Sequence, residues 1–362
     1  MEAHIVIGSN YGDEGKGAIS GRLCKNNHAL NILTNGGAQR GHTIVSSDGV
    51  RIVNSHLGSG TAFGADNLFA KSFILNPMSF KKEFERFPSC KVYRHVDCLW
   101  TTPFEMISNQ CVAFEEKTHH TCGMGIWNTI LSRRYAIKFD DFIQLDRDKK
   151  FIYLMGIKER EEIKCLDIFN VYTKFFSDKE TYTNIINHYI EDCEFLFRHT
   201  IPVTDNDLDT LFKEYDRLVF ENGQGLLIGD PGFDERNSTP SETGIKTIEQ
   251  FKSALSGIRI VAHYVTRPYI TRHGDGFCEN EINRKDLSSG VAEDATNIYN
   301  NFQGELRYGK LDIDSFKRRI DIDFSKVHDL QISREIDVTH CDELLPDKFK
   351  GLNEKVNYWE TA

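Results

Sequence analysis

The sequence predicts an α/β fold built as one large unit with insertions, and three observations carry that prediction. The chain opens as strand, glycine-rich loop, helix, strand, the order in which many α/β folds begin. Further short apolar runs, strand candidates, recur along the 362 residues, with helical stretches among them. Composition is that of an ordinary globular chain, 40% hydrophobic and 27% charged. The length could hold two or three domains of roughly 100–200 residues. No internal repeat and no low-complexity linker divides it, so residues 1–362 read as a single α/β domain, with helical and loop insertions over approximately 100–215.

His4–Ser9 is a short apolar run that predicts a buried strand. The turn Gly8-Ser-Asn-Tyr-Gly-Asp-Glu-Gly-Lys-Gly17 follows, and a helix begins near Ala18. Ala29–Thr34 predicts a second strand, closed by Asn35-Gly36-Gly37. Thr43–Val45 and Val50–Asn54 flank Ser46-Ser-Asp-Gly49, a hairpin turn. Pro77–Phe87 predicts a helix with Asn76 as N-cap, and Lys91–Trp100 a strand. Asp178–Arg198 carries Tyr182, Ile185, Ile186, Tyr189, Ile190, Cys193 and Phe197 at helical spacing. Arg217–Glu221 is a strand running into Gly223-Gln-Gly225; Ile258–Val265 and Val327–Ser333 are later strands. Polar stretches Pro231–Thr243 and Arg272–Asp286 read as loops, and loops of that length are usually functional or mobile.

Lys and Arg number 44 against 54 Asp and Glu, a net charge of −10. That disfavours a nucleic-acid-coating role, which wants a basic surface, but leaves room for a small phosphorylated ligand in a local positive pocket. No apolar stretch reaches the ~18 residues of a membrane span, and the N-terminus lacks a basic leader, so a soluble cytoplasmic protein is expected. Nine cysteines without a C-x-x-C pair fit reduced thiols better than disulfides or a zinc site.

The loop from Gly8 to Gly17 carries the chemistry. Glycines permit positive φ, but a loop ending Gly-Lys-Gly before a helix also forms a phosphate cradle from backbone N–H groups, the helix N-terminus and the Lys16 charge. It is not a Walker A loop, since six residues separate Gly8 from Gly15 and Gly17 replaces the hydroxyl residue. It is not G-x-G-x-x-G either, which argues against a dehydrogenase. Asp13-Glu14 inside such a loop would repel phosphate unless a cation or a proton-transfer task accounts for them.

These features resemble the adenylosuccinate synthetase superfamily. Its Gly-Asp-Glu-Gly-Lys-Gly loop is similar to Gly12–Gly17, and its Gly-Gly-x-x-x-Gly-His-Thr segment to Gly36-Gly-Ala-Gln-Arg-Gly-His-Thr43. Asn54–Gly60, Lys71–Pro77, Phe220-Glu-Asn-Gly-Gln-Gly225 and Tyr269–Gly276 resemble its later motifs in order. The resemblance implies a large central, mostly parallel sheet flanked by helices, a P-loop-like nucleotide-binding fold, and a ligase that joins L-aspartate to C6 of a purine nucleoside monophosphate. Carried over by position, Asp13 is the base and a Mg²⁺ ligand, with Gly41 as a second ligand, and His42 is the acid. Asn10, Gly12, Glu14, Gly15, Lys16, Gly17, Gln39, Gly41 and Thr43 would surround the phosphates. Gln224 would hydrogen-bond the purine. Thr121 and one of Arg133 and Arg134 would hold the 5′-phosphate, the arginine crossing between subunits of a homodimer, and Ser238 or Thr239 would match another phosphate-binding threonine. Arg307 would reach the aspartate substrate.

Three departures bear on the substrate. The family's arginine block is reduced to Arg307 within Asn301–Asp312. Ser333-Arg-Glu-Ile-Asp337 stands where the Thr-Lys-Leu-Asp guanine reader is expected, and Lys350–Ala362 offers no clear base-stacking segment. Together they resemble the phage-type branch serving 2-aminoadenine DNA, which takes dGMP and ATP or dATP and makes N6-succino-2-amino-2′-deoxyadenylate. Gly223, where the family has alanine, would leave room for a 2-amino group. The alternatives are an ordinary adenylosuccinate synthetase using IMP and GTP, and a catalytically silent nucleotide-binding protein.

Overall fold

A computed structural model of the chain describes residues 1–229, 238, 241–294, 297 and 299–360. In chain order its elements are β1 (Glu2–Gly8), α1 (Lys16–Cys24), β2 (Ala29–Leu33), β3 (His42–Val45), β4 (Arg51–Asn54), β5 (Asp66–Phe69), β6 (Ile74–Leu75), α2 (Pro77–Phe84), β7 (Val92–His95), β8 (Leu99–Trp100) and α3 (Pro103–Glu116). There follow α4 (Ile126–Ser132), α5 (Phe139–Gln144), α6 (Arg147–Ile163), α7 (Lys174–Ser177), α8 (Lys179–Arg198), β9 (Ile201–Val203), α9 (Leu208–Phe212) and β10 (Arg217–Gly225). The last are β11 (Ile260–Thr266), β12 (Tyr269–His273), β13 (Glu281–Ile282), α10 (Arg284–Leu287), β14 (Leu306–Lys310), α11 (Ile313–Phe324), β15 (Ile332–Val338) and β16 (Lys355–Tyr358).

Nine strands form one sheet in the order β16-β15-β11-β1-β10-β2-β5-β7-β9. All its pairings run parallel. The central strands β1, β2, β10 and β11 are buried almost throughout, as a parallel sheet covered on both faces requires. One apolar cluster packs the β1, β10, β11 and β15 half against residues 245–258 and α11; a second joins β5 and β7 to α2, α3, α6 and α8. Helices α3–α8 fill residues 103–198 before β9 rejoins the sheet edge. A three-stranded antiparallel sheet, β12-β14-β13, stands beside the main one.

Asn76 caps α2, its Oδ1 accepting the Ser79 N–H at 3.0 Å, and Asp178 caps α8 in the same way. The turn at Ser46–Gly49 joins β3 to β4 as expected. Two strands differ from their sequence reading. Lys91–Trp100 breaks in two: the Cys98 N–H turns back to His95 O at 3.1 Å, so β7 stays in the main sheet while β8 pairs with β6. The late strand is Ile332–Val338, not Val327–Ser333; Val327 and Leu330 are partly buried in the connection after α11. Arg272–Asp286 is only partly loop, since it holds β13 and the start of α10, while Pro231–Asn237, Thr239 and Pro240 lie outside the described residues. All nine cysteines are free. Among the described residues no helix is long and apolar enough to cross a membrane.

Candidate active site

A cavity of about 610 Å³ opens at the C-terminal ends of the central strands, where open α/β sheets bind ligands. The loop between β1 and α1 forms one wall. Its path needs glycine: Gly12 and Gly15 have φ of 130° and 90°. Gly17 has another reason, since a Cβ there would lie 2.7 Å from Thr43 O, so α1 can approach β3 only without a side chain.

Three successive loop carbonyls are held from outside. Thr271 Oγ1 donates to Gly12 O at 3.2 Å, Arg267 Nε to Asp13 O at 2.7 Å and Thr339 Oγ1 to Glu14 O at 2.7 Å. A planar trans peptide points its N–H opposite to its C=O. The amides of Asp13, Glu14 and Gly15 are therefore turned the other way, and none donates to an acceptor among the described residues. Amides left without acceptors just ahead of a helix N-terminus suit an anion.

The two loop acids have different surroundings. Glu14 is buried; its Oε1 accepts the Asn10 and Gly12 N–H groups, each at 2.9 Å, and its Oε2 pairs with Lys16 Nζ at 2.9 Å. Burial pushes its carboxyl up, but the Lys16 charge and the loop amides outweigh burial and hold it below the usual range. Asp13 adopts φ 58°, and its half-buried carboxylate lines the cavity without a hydrogen-bond partner among the described residues.

His42 begins β3 on the facing wall. Its Nδ1 meets Glu221 Oε1 in a short contact, with Arg40 Nη2 3.1 Å away, and its Nε2 lies 3.3 Å from Gly223 O. Burial lowers the imidazole pKa, the Arg40 charge lowers it further, and Glu221 opposes both. Burial raises the Glu221 carboxyl, but Arg40, His42 and the Ser59 N–H bring it to about 2. The Gln39 amide atoms and Gln224 Oε1 are buried without hydrogen-bond partners among the described residues, and buried polar atoms of that kind call for a polar partner.

Of the residues expected from sequence, Gly12, Asp13, Glu14, Gly15, Lys16, Gly17, Gln39, Gly41, His42, Thr43, Thr121 and Gln224 line this one cavity. Asn10 lies behind it, its amide donating to Thr266 Oγ1 at 3.0 Å while Arg319 donates to its carbonyl. Arg133 and Arg134 are exposed on a 3₁₀ turn outside the lining. Arg307 also lies outside it: Nη1 donates to Gly274 O and Gly276 O at 2.8 and 2.9 Å and Nε to Glu281 at 2.8 Å, so it braces a loop. Thr239 lies outside the described residues.

Three sequence readings are corrected. Ser333–Asp337 is mid-strand, and Asp337 is buried against His263 at 2.8 Å; the segment at the strand end is Thr339-His-Cys-Asp342, whose first two residues line the cavity. The C-terminal stretch does reach the site: β16 delivers Trp359 and Glu360 to the lining. The space beside Gly223 is taken by Arg40, whose Cγ and Cδ would each be 3.1 Å from a Cβ there, so it is no slot for a 2-amino group. Glu221, Arg40, Arg267 and Thr339 were not singled out from sequence. Glu221 alone carried a signal, a carboxylate inside an apolar strand just ahead of Gln224.

The sequence pattern of the adenylosuccinate synthetase family matches residues 5–344. The adenylosuccinate synthetase of Vibrio vulnificus is 25% identical over 296 residues, covering 77% of this chain and 64% of that protein. The one from Aliivibrio fischeri is 26% identical over 296 residues, with the same coverage. The chain thus spans about 64% of the length of these relatives. In fold it is similar to fully ligated adenylosuccinate synthetase from Plasmodium falciparum, with a TM-score of 0.68 and 19% identity, covering 95% of this chain and 77% of that one. It is similar as well to cyanophage S-2L succinoaminodeoxyadenylate synthetase bound to dGMP and dATP, with a TM-score of 0.65 and 11% identity over 99% and 91% of the two chains. A match over nearly the whole chain, on top of a glycine loop that carries Asp13 in the same cavity as His42, means that this chain belongs to the adenylosuccinate synthetase family.

Proposed function

We propose that this protein is a C–N ligase that joins L-aspartate to C6 of a purine nucleoside monophosphate through a 6-phosphoryl intermediate. The favoured substrates are dGMP and ATP or dATP, giving N6-succino-2-amino-2′-deoxyadenylate, the nucleoside diphosphate and phosphate. The observation that carries this reading is the placement of Asp13 and His42 in one cavity with the loop amides. Asp13 takes the N1 proton, which makes O6 nucleophilic toward the γ-phosphorus. The amides of residues 13–15 hold the triphosphate chain in line. His42, its Nδ1–H held by Glu221, becomes the imidazolium once phosphate charge is bound beside it and then donates from Nε2 to oxygen carrying developing charge, and Gln224 orients the purine. The aspartate amine then attacks C6, and phosphate leaves with O6.

Asp13, whose carboxylate has no hydrogen-bond partner among the described residues, and Gly41, which lines the same cavity, would hold Mg²⁺, which takes one or two protein oxygens and completes its shell with phosphates and water. The ion would neutralise phosphate charge. Arg133 and Arg134, exposed and outside the cavity, suit a contact with the phosphate site of a second subunit.

The choice of dGMP rests on the wall where the family's arginine block would stand. Here Asn297, Asn300 and Gln303 line the cavity and Arg307 is engaged elsewhere. Asn297 donates to Asp294 at 3.0 Å and Asn300 to Gln303 at 3.2 Å, so these amides are engaged within their own loop and replace a charged grip aimed at a 2′-hydroxyl. One observation favours the second reading, an ordinary enzyme using IMP and GTP: Thr339-His-Cys-Asp342 keeps the threonine and aspartate of the guanine reader at a strand end. Steady-state kcat/KM for IMP, GMP and dGMP against GTP, ATP and dATP, with aspartate and Mg²⁺, separates the two. Preference for dGMP with an adenine triphosphate is expected; preference for IMP with GTP would overturn it.

A further inference from the structure

Arg40 lies two residues before His42, yet its side chain is completely buried. Nη2 donates to Glu221 Oε1 at 2.7 Å and stands 3.1 Å from His42 Nδ1. Glu221 is fixed from other directions too: Ser59 Oγ donates to Oε1 at 2.8 Å and Ser59 N–H to Oε2 at 3.0 Å. The guanidinium reaches this position along Gly223, where an added Cβ would lie 3.1 Å from Cγ, from Cδ and from Asn35 O. Gly223 does not have positive φ, so packing, not backbone conformation, calls for glycine there. Arg40 Nε and Nη1 have no hydrogen-bond partner among the described residues, and the guanidinium carbon lies 5.9 Å from the Phe73 ring centre. A guanidinium buried at that expense is weak evidence for stability and better explained by a task.

We propose that Arg40 is a positioning residue for His42, clamping Glu221 so that the imidazole keeps Nε2 beside Gly223 O at the cavity wall, and that Gly223 provides the space the clamp requires. The kinetic readout rests on the ligase reading; a spectroscopic readout does not. Without Arg40, Glu221 can swing about its Ser59 contacts and the imidazole loses a fixed acceptor at Nδ1. With a methyl group at position 223, Arg40 must shift by a few tenths of an ångström and carry Glu221 with it.

The test is a double-mutant cycle of Arg40→Met, Gly223→Ala and the double variant in the full chain, with Arg40→Lys as the conservative partner. Misplacement of about 1 Å near reacting groups can cost ~10²-fold. Arg40→Met is therefore expected to lower kcat ~10–10²-fold and Gly223→Ala ~10-fold, with KM for both nucleotides held within ~3-fold. The double variant is expected to be no slower than Arg40→Met, because an unbranched methionine yields to the added methyl; such non-additivity marks one shared clamp. Arg40→Lys is expected to recover part of the lost rate. The downfield proton resonance of an imidazole N–H held by a carboxylate should appear in the wild type and be lost in Arg40→Met. Multiplying effects, a change confined to KM, or an unchanged resonance in Arg40→Met would each overturn the clamp. No turnover of the wild type with any nucleotide pair would overturn the ligase reading alone, and the resonance would still decide the clamp. If Arg40→Met does not fold, Gly223→Ala and Arg40→Lys carry the same comparison.

Discussion

Replacing Glu14 by alanine is expected to cost the ligand-free protein about 3–5 kcal/mol, the usual penalty for removing one partner of a buried ion pair. Glu14 and Lys16 are 1% and 3% exposed, and their 2.9 Å pair is closed over by Gly8, where a Cβ would sit 2.5 Å from the carboxylate. The substitution leaves the Lys16 ammonium without its counter-charge and takes the acceptor from the Asn10 and Gly12 amides. Each such amide alone can be worth ~1–3 kcal/mol, but the terms share one carboxylate and do not add in full. The vacated position is bounded by two N–H groups and an ammonium, so inorganic phosphate should bind there. At a hundred times its dissociation constant phosphate would return about 2.7 kcal/mol. Urea unfolding of wild type and Glu14→Ala, each with and without phosphate, measures both effects. A loss below ~1 kcal/mol would refute the paired-charge account, and an equal phosphate gain in the two proteins would refute the idea that the carboxylate fills an anion position.

Asp13→Asn should leave the unfolding midpoint unchanged, because the side chain makes no hydrogen bond among the described residues, and should slow single-turnover phosphoryl transfer ~10²–10⁴-fold; a near-normal rate would remove Asp13 as the base. Acid should destabilise the fold through His4 and His56, both buried and lowered to about 3, chiefly by burial. Their folded values lie below the unfolded 6.5, so the unfolded chain takes protons first and stability falls as pH drops below ~6.5; at pH 5 each histidine should cost about 2 kcal/mol. Urea midpoints at pH 7 and pH 5 for wild type and His4→Gln test this, and an acid sensitivity unchanged in His4→Gln would count against it.

What the sequence made legible followed how local the physics is. The opening strand, the glycine loop and its helix, the Asn76 cap and α8 depend on neighbours within a turn or two, and each lies within a few residues of where pattern reading puts it. Pattern reading misplaces β15 because it carries polar Ser333 and the charged Arg334 and Glu335, the latter two satisfied by Glu354 and Lys355 at the sheet edge, while the apolar run before it packs as a connection. That error carried into the site, since it put Ser333–Asp337 where the strand end is Thr339–Asp342. Asp13, His42, Gln224 and the loop glycines were legible because a motif holds them. Arg40–Glu221, Arg267–Asp13 and Thr339–Glu14 join residues 181, 254 and 325 positions apart, and no local pattern announces such pairs.

Those long-range contacts explain how a loop with two adjacent acids can still face a phosphate. Carbonyls pinned from Arg267, Thr271 and Thr339 fix the loop's course, and the left-handed conformation at Asp13, which aspartate tolerates better than most residues, sends successive side chains different ways. Glu14 goes inward and cancels Lys16; Asp13 stays at the cavity with its proton-accepting oxygens unengaged. The lysine charge is then already spent in the ligand-free protein, so the attraction for an incoming phosphate comes from the three outward amides and the end of α1. A phosphoryl group that did draw Lys16 across would have to displace it from Glu14. The paired lysine thereby favours ligands bringing their own cation, as a nucleoside triphosphate with Mg²⁺ does.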